Sequence, residues 1–167
     1  MLPSVKANPI AAFDARFAAV MAGLGLDRCT GYVTALSGGP DSTALTLLMQ
    51  RYANVTGKHH NAVIVDHGLR KGSGDEAERV QTRLRRFGIG CDIIQITEPR
   101  PTAGLQEWAR INRHHALLAV ARQKKAALLF AHHASDQAET VAMRLLKSSG
   151  LNGLGGIAYH RMQHDVV

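Results

Sequence analysis

A chain of 167 residues, 46% hydrophobic and 20% charged, carries enough apolar side chains for one packed domain and has neither a fibrous nor a disordered composition. Lys and Arg number 20 against 13 Asp and Glu, a formal charge of +7 that favours polyanionic partners such as nucleic acid. No apolar run reaches the length of a membrane span, residues 1–9 lack an apolar signal core, and aromatic residues at 5% are too few for an array of base-stacking side chains. The two cysteines, Cys29 and Cys91, are far apart and outside any C-x-x-C pair, which points to free thiols in a reducing cytoplasm.

In chain order, Ile10, Phe13, Phe17 and Val20 recur at helical spacing and predict a helix over 10–24, broken by Gly23 and Gly25. An apolar run predicts a strand over 32–36. A helix over 42–52 follows, with Leu45, Leu48 and Met49 on one face. A second strand, 62–65, ends at Asp66-His67-Gly68-Leu69-Arg70, and Gly72, Ser73 and Gly74 mark a turn. The helix over 75–87 is expected to turn Val80, Leu84 and Phe87 inward. Its Arg79, Arg83 and Arg86 share one face, either a solvated surface paired with Asp75 and Glu76 or a contact for a nucleic-acid backbone. A third strand spans 91–96, a loop 98–101, a long helix 104–122, a fourth strand 126–131 and a further helix 135–147, before the glycine-rich stretch 150–156. On the 104–122 helix, Leu105, Trp108, Ile111, Leu118 and Ala119 read as the inward stripe, with Gln106, Arg110 and Arg113 opposite. Four short apolar strands alternating with helices predict an α/β fold: a parallel sheet covered by helices on both faces, with ligands beyond the carboxyl ends of its strands.

The segments that carry chemistry fall at those ends. Ser37-Gly38-Gly39-Pro40-Asp41-Ser42 lies between the first strand and its helix. Adjacent glycines let the backbone approach a bound group, and the unpaired amides of the helix start carry the positive end of its dipole, a phosphate site. No lysine lies between Gly38 and Met49, so this is not the G-x-x-x-x-G-K-[ST] loop, and it lacks the G-x-G-x-x-G spacing. A plain tight turn, with Asp41 or Ser42 as an ordinary N-cap, is the alternative for the six residues taken alone. Asp66 reads equally as a strand-end cap and as a pocket wall. The paired histidines His59-His60, His114-His115 and His132-His133 show no zinc spacing and read mostly as structural or surface groups.

The hexapeptide resembles the S-G-G-x-D-S loop of the PP-loop ATP-pyrophosphatases. Further on, Val65-Asp66-His67-Gly68-Leu69-Arg70, then Ala109-Arg110 with Arg113, then His132-His133-Ala134-Ser135-Asp136-Gln137-Ala138-Glu139-Thr140, and finally Ser149-Gly150-Leu151 with Gly153-Leu154 follow in order. Together they resemble the N-terminal catalytic domain of the tRNA(Ile)-lysidine synthetase family, over roughly residues 30–157. The resemblance implies an adenine nucleotide alpha hydrolase-like, Rossmann-like fold. It divides the chain into a lead-in (1–29), an ATP-binding catalytic domain (30–157) and a tail (158–167) cut short of the family's further tRNA-binding domains. It also implies ATP and Mg2+ as cofactors, L-lysine and tRNA(Ile) with a CAU anticodon as partners, and no membrane. Ser37, Gly38, Gly39, Pro40, Asp41, Ser42, Asp66 and His133 would bind the nucleotide. Asp41 and Asp136 would hold the metal, and Asp41, Arg110 and Asp136 would carry the chemistry. Glu139 is a candidate base or ammonium partner, or a merely structural pair on its helix. The chain departs from the family at Ser135, at Lys147 to Gly150 and at His114, where Asp, Arg-Gly-Ser-Gly and Tyr are common. Two other readings share the first loop: a PP-loop tRNA thiolase, disfavoured because neither cysteine lies in a matched segment, and a non-catalytic nucleotide- or RNA-binding module.

Overall fold

The computed structural model describes residues 9–131. The elements run α1 (Pro9–Gly23), a 3-10 turn (Leu26–Arg28), β1 (Gly31–Leu36), α2 (Pro40–Thr56), β2 (His59–Asp66), α3 (Ser73–Arg85), β3 (Gly90–Gln95), α4 (Leu105–Gln123) and β4 (Ala127–Leu129). The expected helix over 135–147 and the stretch 150–156 lie outside the described residues. The four strands form one sheet in the order β3-β2-β1-β4, and every pair is parallel. The α/β parallel sheet read from the alternation is therefore the fold.

Strand parity explains the layering. β1 is buried throughout, as a central parallel strand must be when helices cover both faces. Its even-numbered side chains face α1, α2 and α3: Tyr32 packs with Met21, Met49 and Tyr52, and Leu36 with Ala62, Ile64, Ala77 and Leu84. Its odd-numbered side chains face α4: Val33 and Ala35 pack with Val63, Leu117, Leu118 and Ala121. The register pairs Tyr32 with His60 and Leu36 with Ile64, so β2 repeats the same division. The strand order reverses between β1 and β4, the kind of switch point beside which open parallel sheets bind ligands.

Three inward assignments differ from the structure. Phe87 is 63% exposed, because α3 ends at Arg85 and the chain turns away before its side chain reaches the sheet. Val20 is 47% exposed on the outer side of α1. On α4 the buried face is Leu117, Leu118 and Ala121, whereas Leu105, Ile111 and Ala119 are exposed. The amino-terminal half of α4 has no long strand to lie on, since β4 is only three residues long, so apolar side chains there lack a partner surface. Arg113, expected on the outer side, is half-buried on the inner one.

Leu117→Ala should lower unfolding free energy by about 2–5 kcal/mol, the range for a cavity in a closed core. Ile111→Ala should change it by less than about 1 kcal/mol, as befits an exposed position. Urea denaturation of the two variants checks this, and equal losses would contradict the burial pattern of α4.

Candidate functional site

The loop after β1 is built from its own side chains. Gly38 sits at φ 85°, a left-handed conformation that glycine adopts without strain. Gly39 is extended and caps α2, and Pro40 opens the helix at a position where its missing N–H is not needed. Neither Asp41 nor Ser42 is the N-cap, so the plain capped turn does not form. The Ser42 hydroxyl instead turns back, donating to the Gly39 carbonyl at 3.1 Å and accepting the Ser37 amide at 3.2 Å. Having one proton, Ser42 Oγ must accept in its 3.1 Å contact with Ser37 Oγ, so the Ser37 hydroxyl donates. Thr43 adds its amide at 3.1 Å and its hydroxyl at 2.8 Å to the same Gly39 carbonyl. The loop is thus clamped from beneath, and the first-turn amides of α2 keep the electropositive character that favours an anion. Asp41 is exposed in that first turn, at the rim.

A cleft of about 380 Å³ opens beside this loop, walled by Ser37, Gly38, Asp66, Ser73, Glu76 and Val80 among others. The end of β2 delivers two neighbours to opposite sides of the sheet. Asp66 goes to the α3 side, where Oδ1 accepts the Gly68 amide at 2.9 Å. It both caps the strand end and lines the cleft, so the two alternatives for this residue coexist. Arg100 donates to the Gly68 carbonyl at 2.6 Å and ties the post-β2 turn to the loop after β3. Arg70 and Glu76 form an exposed ion pair at the same rim.

His67 goes to the α4 side and meets Trp108 with ring centroids 6.1 Å apart. Its Nδ1 is buried and has no hydrogen-bond partner among the described residues. Burial chiefly, and the positive charge of Arg113 next, push the His67 pKa below its ordinary value, while Asp66 pulls the other way. Burial also lowers the Arg113 pKa. Arg110, three residues back on the same helix, lies outside and makes a two-point contact with Glu107 at 2.6 and 2.9 Å. The structure therefore separates the two arginines that the sequence grouped together: Arg113 faces the His67 side of the sheet end and Arg110 faces outward. His133, Asp136 and Glu139 lie outside the described residues.

Cys29 lies two residues before β1 and Cys91 is the second residue of β3, so both thiols sit at the amino end of a parallel sheet, opposite the loop. A six-residue strand places them roughly 20 Å from its carboxyl end. With no other cysteine in the chain, the cleft has no thiol for sulfur chemistry. Among the described residues, no group of three or more His, Cys, Asp or Glu side chains is placed to hold a metal ion. Glu76 and Ser73 were missed as cleft residues; their spacing at the start of α3, just after the post-β2 turn, was the available signal.

His67 should titrate below an ordinary histidine side chain. Replacing Arg113 with Gln removes a repelling cation and should raise the midpoint; Asp66→Asn removes an attracting anion and should lower it. NMR titration of the His67 ring reads both signs. Gly38→Ala should destabilise by about 1–2 kcal/mol through the left-handed backbone alone. The added methyl would meet only Val80 Cγ2, at an ordinary 3.8 Å. Thermal melting checks the size of the effect.

Residues 12–167 match the PP-loop domain family. A tRNA(Ile)-lysidine synthase of Methylobacterium nodulans is 47% identical over 135 residues, covering 80% of this chain and 39% of that protein. One from a Bradyrhizobium species (strain BTAi1) is 43% identical over 127 residues, covering 74% and 36%. The chain thus spans about two fifths of the length of these relatives. Among solved structures, a U34-tRNA thiolase of Methanococcus maripaludis superposes with a TM-score of 0.68 at 19% identity, over 84% of this chain and 53% of that one. A glutamine-dependent NAD+ synthetase of Acinetobacter baumannii superposes at 0.59 with 16% identity, over 83% and 28%. At such identities the likeness is one of fold alone. With the clamped Ser-Gly-Gly-Pro-Asp-Ser loop at the carboxyl end of a central parallel strand and a match over nearly the whole sequence, the chain belongs to the PP-loop domain family.

Proposed function

We propose that this chain is the ATP-activating catalytic domain of a tRNA(Ile)-lysidine synthase. The observation that carries the reading is the 47% identity to a protein of that name across 80% of this chain, which includes the clamped loop and the post-β2 turn. In the proposed reaction, the C2 carbonyl oxygen of the wobble cytidine attacks the α-phosphate of ATP and pyrophosphate leaves. The amine of free L-lysine then attacks C2, loses a proton and displaces AMP, giving lysidine in a tRNA(Ile) bearing a CAU anticodon. The cytoplasm is the compartment this substrate implies.

Negative charge gathers on the departing pyrophosphate, and donors fixed beforehand stabilise it most. The loop Ser37, Gly38, Gly39, Pro40, Asp41 and Ser42 is the proposed cradle there: the glycine amides and the first-turn amides of α2 are its main-chain donors, Pro40 has no N–H, and the Ser37 amide is held by Ser42 Oγ. Asp66 and His133 complete the nucleotide site in this reading, with Asp66 at the cleft wall. His67, half-buried beside Trp108 with its Nδ1 shielded, lines the α4 side of the sheet end.

Magnesium arriving with the triphosphate needs only one or two protein carboxylates besides phosphate oxygens and water. Asp41, exposed at the loop rim, suits such a partial donor set better than a closed protein cage would. Asp41 and Asp136 are the proposed holders, and the ion would neutralise phosphate charge when bound. Arg110 is the proposed clamp for the adenylated intermediate. To act there it must exchange Glu107, its present exposed partner, for substrate. A surface pair of that kind is worth little, so the exchange is inexpensive.

Asp41→Asn should reduce tRNA-dependent pyrophosphate release by about a hundredfold or more, the scale for removing one preorganised electrostatic group. The assay uses this chain and, in parallel, the chain joined to the remaining domains of the Methylobacterium nodulans relative. Nucleoside mass spectrometry with and without lysine reads the product. Pyrophosphate release without lysidine formation in the joined protein would refute the ligase reading.

A further inference from the structure

Beneath the loop runs a line of polar side chains in an otherwise apolar layer. Thr34, in the middle of β1, and Thr46, on the inner face of α2, are both 0% exposed. Their hydroxyls lie 3.1 Å apart. Thr46 Oγ1 donates to the Ser42 carbonyl at 2.8 Å, and Thr34 Oγ1 is 3.0 Å from His60 Nε2. His60 Nδ1 is in turn 2.9 Å from the Gln50 side-chain amide.

The side-chain amides give most of the line a direction. Asn54 Oδ1 accepts from Gln50 Nε2, Gln50 Oε1 accepts from His60 Nδ1–H, and His60 Nε2 is left to accept the Thr34 hydroxyl proton. The Thr46 hydroxyl lies within reach of both Thr34 Oγ1 and the Ser42 carbonyl, and its one proton serves the two. Burial holds His60 neutral, with its pKa pushed down to about 4.

Ser42 is the residue whose hydroxyl clamps Ser37 and Gly39. Buried hydroxyls in a sheet interior are not the most stable choice, since apolar groups of the same shape serve as well or better. Their placement under one loop residue points to control of that residue. We propose that His60, Thr34 and Thr46 are positioning residues, a buried hydrogen-bond chain that holds the start of α2 and so sets the aim of the loop's main-chain donors. The functional half of this rests on the loop being the pyrophosphate site.

The test replaces both hydroxyls by their isostere, Thr34→Val with Thr46→Val, and keeps them in the control Thr34→Ser with Thr46→Ser. Thermal melting, amide exchange at 37–43 and binding of a non-hydrolysable ATP analogue with magnesium are measured on each. The valine pair should melt close to the parent, exchange its Ser37 and Thr43 amides roughly tenfold faster, and bind the analogue roughly five- to tenfold more weakly. The serine pair should restore both. Parent-like loop exchange in the valine pair, or faster exchange throughout the core together with a much lower melting point, would overturn the proposal. Faster loop exchange with unchanged affinity would overturn its functional half. A parent chain that binds no analogue would refute the nucleotide reading itself, and loop exchange would still decide whether the chain of hydroxyls positions the loop.

Discussion

The site depends on one hydroxyl. Ser42 Oγ closes a ring of three contacts, with the Ser37 amide, the Ser37 hydroxyl and the Gly39 carbonyl, at 3.1 to 3.2 Å. In the proposed role the loop offers main-chain donors to an anion, and donors so used are not satisfied internally. Its shape therefore has to come from side chains on the inner side. Ser42 does this because it is one turn into α2, close enough to fold back beneath the glycines and buried enough to escape competition from water. Gly38 contributes the left-handed turn and Pro40 a helix start that needs no N–H.

Around that clamp, the two-residue period of the strands distributes the chemistry. At the end of β2, Asp66 and His67 are adjacent in sequence and separated by the sheet. The carboxylate reaches the cleft beside the loop, while the imidazole is packed near Trp108 and Arg113. One side thus carries a hydrogen-bonded carboxylate and the other a half-buried imidazole beside a guanidinium. Both cysteines are kept at the far end of the sheet.

Much of this was legible in the residues. Alternating apolar runs indicated the four strands, and glycine punctuation placed the six-residue loop between β1 and α2. The long helix α4 was harder. Its Leu105, Trp108 and Ile111 look like an inward stripe, yet two of the three are exposed, because that half of the helix extends past the short β4. The same geometry divides Arg110 from Arg113. Three residues on a helix amount to 300° of turn, so they sit close in angle, and only the neighbouring strand ends decide which one is buried. The Thr34–Thr46–His60 line left no pattern either: a threonine in a strand and another in a helix look unremarkable until the register brings them together.

By itself the sequence determined the elements, their order and the parallel sheet, since apolar period and glycine punctuation are local properties of the chain. It also marked the candidate anion loop, because adjacent glycines followed by a helix start are suited to holding a phosphate. Only the tertiary structure decided which arginine turns inward, that Asp66 caps and lines at once, and that a buried hydroxyl line lies under Ser42. Those outcomes depend on where one element stops against another, and no single segment contains that information.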